Sequence, residues 1–273
     1  MTRAERIPAE LQTVFELEPH GPDTWVGESP AYPWGRIYGG LVVAQALLAA
    51  VRTVNPEHAV HSLHGYFILG GDPAEPVRYE VDRLRNGRSF TTRQVVARQS
   101  GGAIFNLSCS FQRHEPGVET QSAAFPTDAP PAPTTAVTRE GSGIDRYDVR
   151  QPSGTPRSLV WARYPIALGD DPNLHACALA YLSDTNAMDA IAASHPLGNP
   201  ADDWDGIYMS ASLDHAIWFH HHARADDWLL FDFDGLGIVR TRGLSTGQVF
   251  TDSGLHVATI AQEGLIRTVA AAG

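Results

Sequence analysis

Cysteine is scarce in this chain: Cys109 and Cys177 are the two present in 273 residues. Two thiols build neither a disulfide framework nor a four-cysteine zinc site, and they fit a reducing compartment. Cationic charge is also in deficit. Lys plus Arg total 20 against 31 for Asp plus Glu, a formal net charge of −11. A phosphate backbone needs a basic footprint, so nucleic acid is excluded as the main partner. A local basic patch for one phosphorylated ligand stays open. Long apolar runs are missing as well. The longest, Leu41 to Val51, is interrupted by Gln45 and falls short of the roughly 20 residues that span a bilayer. Charges are scattered through Met1 to Glu10 with no apolar core, so no signal peptide is expected there. The expectation is a soluble, cytoplasmic protein with no membrane insertion.

What is present is the composition of a folded domain, 43% hydrophobic and 19% charged. Prolines and glycines crowd the stretch from Glu115 to Pro156, where apolar periodicity is weak. We read residues 116–156 as a surface linker between two halves, 1–115 and 157–273. In the first half an expected strand around Thr13 to Leu17 precedes a glycine-rich loop and a helix over Leu41 to Val51. That helix is apolar on nearly every face, hence buried all round. Strand-like runs follow at His61 to Leu69, Val77 to Leu84, Ser89 to Ser100 and Ala103 to Arg113, with Asn86-Gly87 and Gly101-Gly102 at the turns. The second half repeats the order. A helix over His175 to Ala193 precedes runs at Ser212 to His221, Asp227 to Phe233, Gly247 to Thr251 and Leu255 to Gln262. A helix against an antiparallel meander, made twice at a period of about 150 residues, is an α+β architecture with internal duplication.

Five segments carry a resemblance. They are Gly35-Arg-Ile-Tyr-Gly-Gly-Leu-Val-Val-Ala-Gln-Ala46, His61-Ser-Leu-His-Gly-Tyr-Phe67, Arg83-Leu-Arg-Asn-Gly-Arg-Ser-Phe90, Ser212-Leu-Asp-His-Ala-Ile-Trp-Phe-His220 and Gln262-Glu-Gly264. In that order they resemble the acyl-CoA thioesterase II family over nearly the whole chain, linker and tips excepted. The resemblance implies a double hot-dog fold, two tandem units each with a long helix wrapped by an antiparallel sheet. It also implies hydrolysis of acyl-CoA to fatty acid and coenzyme A, without a cofactor. The family's catalytic trio falls on Asp184, Ser212 and Gln262, with Ser where many members have Thr.

Chemistry supports that trio. Asp184 stands in Ala176-Cys-Ala-Leu-Ala-Tyr-Leu-Ser-Asp, and a carboxylate in so apolar a helix must be paired or hydrogen-bonded. Partly removed from water it becomes a better general base, and Ser212 and Gln262 can hold the water it activates. The alternative for Asp184 is a solvated helix face. Gly39-Gly40 opens the first helix, where free N–H groups attract developing negative charge. The resemblance implies that they polarise the thioester carbonyl; close packing is the other reading. His61 is assigned to substrate binding, against a packing role. Arg83, Arg85, Arg88 and Arg93 cluster in one hairpin, and Arg88 is assigned to the coenzyme A phosphates, with a solvated strand face as the alternative.

Three other patterns carry less. Gly243-Leu-Ser-Thr-Gly247 matches G-x-S-x-G but is followed by a strand instead of a helix. His220-His-His222 lacks an acid or cysteine at ligand spacing, so no metal is expected. Gly235-Leu-Gly237 is no dinucleotide fingerprint. Two rival functions stay open: an enoyl-CoA hydratase or dehydratase using Asp214 and His215, and a noncatalytic acyl-CoA-binding protein. Adjacent strand residues point to opposite faces, which weakens the first. Exposed sheet edges and the prevalence of two-fold assembly lead us to expect a homodimer or homotetramer.

Overall fold

The computed structural model describes residues 11, 13–134, 141–152, 154–199 and 204–269. The first half runs β1 (Leu17–Pro19), β2 (Thr24–Gly27), α1 (Gly39–Val51), β3 (His58–Phe67), β4 (Val77–Asn86), β5 (Phe90–Gln99) and β6 (Gly102–Arg113). The second runs β7 (Asp145–Val149), β8 (Arg157–Arg163), α2 (Pro172–Ala193), a one-turn α3 (Trp204–Ile207), β9 (Tyr208–Ser212), β10 (Asp214–Phe219), β11 (Leu229–Val239), β12 (Arg242–Thr251) and β13 (His256–Thr268). All strands join one antiparallel sheet in the order β1-β2-β4-β5-β6-β3-β10-β13-β12-β11-β8-β7, with β9 beside β13. Read from either end, the order is the same pattern. The halves meet where β3 pairs with β10, Leu63 opposite Ile217.

Each helix forms for a different local reason. In α1 every residue from Gly40 to Ala50 is buried, and Leu41, Val43 and Leu47 are wholly so. Each such side chain contributes about 1.5–3 kcal/mol of apolar burial. The one polar side chain in it, Gln45, is fully satisfied. Its Nε2 donates to Val14 O and Glu28 O, and its Oε1 accepts from the Tyr79 hydroxyl at 2.7 Å. Helix α2 starts on a local signal: the Asp171 side chain accepts the Asn173 N–H at 2.9 Å, with Pro172 in the first turn. Helix α1 has no such cap of its own; Tyr38 precedes it and offers no side-chain bond.

Three details differ from the sequence-based expectation. The first strand begins at Leu17, because the chain from Thr13 makes a turn closed by Glu16 N–H to Thr13 O. The run from Ser212 to His221 is two strands parted at Leu213. Strand β7 lies within 116–156 and pairs with β8, Tyr147 opposite Trp161. Earlier in that stretch Phe125 packs on Trp161 and Phe250, and the Trp161 indole donates to Pro130 O at 3.0 Å. Apolar side chains spaced along a proline-rich stretch thus hold it to the second half as a strap.

Candidate active site

Three donors converge on one carboxylate. Asp184 lies within α2 and is 6% exposed. Ser212 Oγ donates to its Oδ1 at 2.9 Å, and Gln262 Nε2 donates to the same oxygen at 3.1 Å. Gln262 also donates to Ser212 Oγ, at 2.9 Å. The Gly40 N–H donates to Oδ2 at 3.1 Å, so Asp184 supplies from the other half the cap that α1 lacks. A buried charge is tolerable when hydrogen-bonded in this way.

The break between β9 and β10 aims Ser212 at this point. Leu213 N–H donates to Glu263 O on β13 while Leu213 O accepts the Phe67 N–H at the end of β3. One residue thus bridges the seam, an irregularity of the kind that redirects side chains near active sites. Gln262 sits on the inward face of β13 and is fully buried.

Both glycines at the start of α1 are sterically required. A β-carbon on Gly39 would stand 2.6 Å from Asp184 Oδ2 and 3.0 Å from the Phe67 ring. One on Gly40 would stand 2.5 Å from both Tyr181 O and the Tyr38 ring. The Gly40 N–H is committed to Asp184; the Gly39 N–H has no partner among the described residues. Tyr38 closes the wall beside them, donating to Tyr181 O at 2.8 Å. Burial first, and then the Asp184 charge, hold its hydroxyl well above the usual phenol range.

His215 is the member that sequence reasoning missed. Its Nδ1 lies 2.5 Å from Gln262 Oε1, and its Nε2 lies 2.8 Å from Ser183 Oγ. Burial pushes the imidazole below its ordinary pKa, against the opposing pull of Asp184 and Gln262. A neutral ring with its proton on Nδ1 satisfies Gln262 Oε1, and the Ser183 hydroxyl, which also lies 2.9 Å from Ala180 O, has one proton to share between that carbonyl and Nε2. The signal was parity: on β10 His215 faces inward and Asp214 does not. Asp214 Oδ1 instead accepts the Glu263 N–H at 2.7 Å, so the Asp214–His215 pair does not act on one ligand.

Other candidate residues lie elsewhere. His61 is six residues before Phe67 on β3 and bonds Ser110 Oγ at 2.8 Å. Arg88 is in the β4–β5 turn, beyond the other end of α1. Ser245 is fully buried in β12, and its hydroxyl has no hydrogen-bond partner among the described residues. A serine without a base, in a strand, is no nucleophile elbow. Among the described residues no group of three His, Cys, Asp or Glu side chains is arranged to hold a metal, and His220 Nε2 is engaged with Thr259. Helix α1 carries no acid, so the first half has no counterpart of Asp184.

Comparison with known proteins identifies the family and the fold. Residues 28–112 match the acyl-CoA thioesterase N-terminal domain and residues 115–266 the C-terminal domain. Human acyl-coenzyme A thioesterase 8 is 33% identical over 94% of this chain and 88% of its own length. The crystal structure of acyl-CoA thioesterase II TesB2 from Mycobacterium marinum superposes with a TM-score of 0.80 at 37% identity, covering 97% of this chain and 99% of that one. A protein of unknown function with a hot dog fold from Alicyclobacillus acidocaldarius shares the fold, with a TM-score of 0.75 at 18% identity over 96% of this chain and 99% of that one. With both domains matched in order on a duplicated α+β sheet, the chain belongs to the acyl-CoA thioesterase family and has the double hot-dog fold.

Proposed function

We propose that this chain hydrolyses acyl-CoA thioesters by direct attack of a water deprotonated by Asp184. The observation that carries the reading is the distribution of donors over the two carboxylate oxygens. Oδ1 accepts from both Ser212 and Gln262, which uses its two lone pairs; Oδ2 accepts only from Gly40. The free lone pair is therefore on Oδ2, on the side where Gly39 opens against it. Ser212 and Gln262 fix the carboxylate plane, and the water binds to Oδ2. This differs from a water held directly by Ser212 and Gln262, because both donors are already spent on Asp184.

In the step, the water oxygen bonds to the thioester carbon and its proton passes to Asp184 Oδ2. The carbonyl oxygen becomes an oxyanion, for which the unpartnered Gly39 N–H at the head of α1 is the donor. Collapse breaks the C–S bond, and coenzyme A leaves as a thiolate that recovers the proton. Arg88 contacts phosphate at a distance from this step, and His61 serves packing between β3 and β6.

Further readings concern setting and assembly. Two free, buried thiols, Cys109 and Cys177, support a reducing compartment such as the cytoplasm. Among the described residues no helix is long and apolar enough to cross a membrane. Outward-facing Tyr66 and Trp218 at the seam, 63% and 38% exposed, support association into a homodimer or homotetramer. The test of the chemistry is thiol release from acyl-CoA, with intact-mass analysis of the acid-quenched enzyme. Turnover without an acylated protein is expected. A stoichiometric acyl adduct would replace the water mechanism with a nucleophilic one.

A further inference from the structure

A second recess lies at the opposite end of α1 from Asp184, about 20 Å away along a helix of this length. Its volume is about 400 Å³, and no aliphatic or aromatic hydrocarbon side chain lines it. It is therefore no place for an acyl chain. Four guanidinium groups surround it, those of Arg83, Arg88, Arg93 and Arg113, against one lining carboxylate, Glu57. This concentration of positive charge occurs in a chain whose net charge is −11.

The floor is built, not incidental. Arg93 is 1% exposed on the inward face of β5 and pairs with no carboxylate among the described residues. Its donors end on neutral oxygens instead: Thr53 Oγ1 and O, Arg85 O, Thr92 O and Asn86 Oδ1, at 2.6–3.0 Å. The charge is held in place without a direct ion pair, with Asp23 acting on it only through space. Beside it His58, 6% exposed, lines the recess with both ring nitrogens unpartnered among the described residues. At the rim, Arg88 forms no hydrogen bond or ion pair among the described residues, and Arg113 meets Glu57 at 3.2 Å through one nitrogen. Arg83 uses Nε and one terminal nitrogen on Asp23, leaving the other toward solvent.

We propose that this recess binds an organic phosphate of nucleotide size, with Arg88 and Arg113 closing on the phosphate oxygens above the buried charge of Arg93. A fixed cation without a direct ion pair favours an anion, and guanidinium forks match phosphate oxygens in pairs. The volume lies in the range of small-ligand pockets, about 300–1,000 Å³, and exceeds what a bare ion needs. In naming a nucleotide the inference rests on the acyl-CoA reading; in naming an anion it does not. The source is the head of the substrate itself or a separate molecule, and the two are separable.

The probe is adenosine 3′,5′-bisphosphate, titrated calorimetrically into the intact protein, with acyl-CoA turnover measured in parallel. Saturable binding is expected, weakened roughly tenfold or more by Arg88→Ala and further by Arg88→Glu with Arg113→Glu. Asp184→Asn should leave that binding unchanged. Arg88 is exposed and forms no hydrogen bond or ion pair among the described residues, so its truncation should leave the fold intact, which unchanged thermal unfolding verifies. Competitive inhibition of turnover assigns the recess to the substrate's own head, and noncompetitive behaviour to a second molecule; either supports the site. Absence of binding, or binding indifferent to the arginine substitutions, overturns it. Loss of thioesterase activity from the native protein with bisphosphate binding intact would instead count against the hydrolytic reading alone.

Discussion

His215 Nδ1 faces Gln262 Oε1 at 2.5 Å, and that one contact decides which end of the Gln262 amide points at Asp184. With the ring as donor, the amide oxygen is bound away from the site and both amide hydrogens face Asp184 and Ser212. In the proposed step His215 bonds Gln262 and not the attacking water, so it is a positioning residue. His215→Ala should lower kcat about tenfold to a hundredfold with little change in KM, since the loss is one of geometry. Equal effects on kcat and thermal stability of several His215 variants would reduce the residue to packing.

The same imidazole makes stability depend on pH. Its folded pKa is depressed by burial below the ordinary 6.5, so the unfolded chain binds the extra proton first. Its contribution is complete above pH 6.5 and declines as pH falls from there toward the lower folded value. Denaturant midpoints from pH 7.5 to 5 should fall more steeply for the native protein than for His215→Gln. Parallel curves would show that the ring does not titrate in this way.

Asp184→Asn should reduce turnover by about 10²- to 10⁴-fold, the usual cost of losing a general base, with the fold retained. Asparagine keeps one acceptor oxygen for Ser212 and Gln262, but its amide nitrogen then faces the Gly40 N–H and it cannot take a proton. Near-native thiol release from this variant would remove Asp184 from the chemistry.

Gly39→Ala tests the opening at the head of α1. Its β-carbon would stand 2.6 Å from Asp184 Oδ2, where the reacting water is proposed to bind. Displacement of the carboxylate or closure of the site should cost about a hundredfold or more in kcat/KM. Steady-state kinetics beside a far-UV spectrum give the answer, and full activity would mean that the reaction runs elsewhere.

Ser245→Ala should leave activity unchanged, and stability equal or slightly raised, because a buried hydroxyl with no partner carries a desolvation cost. Labelling of Ser245 by a serine-directed phosphonate would contradict the assignment.

Much of this was legible in the residues, and the remainder was hidden for definable reasons. The two helices and most strands follow from apolar runs and turn glycines, since each half buries its helix on all sides. Asp184 was conspicuous as a charge in an apolar helix. The role of His215 was not, because it depends on a strand break at Leu213 that brings β9 and β10 to the same neighbour. Arg93 was grouped with Arg83, Arg85 and Arg88 by proximity in sequence. Yet Thr91, Val95 and Ala97 share its strand parity and are buried, and the period of two already placed it inside. Strand β7 was missed because five residues amid proline and glycine give no alternation to read.

The seam between β3 and β10 has a consequence for how such a chain can change over generations. Two identical subunits joined across that seam would inherit every substitution twice, once at each end of the helix pair. A tandem chain is free of that constraint, because each copy mutates alone. Here α1 has no acid and holds Gln45 as an internal tie, while α2 keeps Asp184 and borrows the head of α1 as its partner. In the proposed mechanism one end carries the chemistry, which leaves the other free to hold a different pocket.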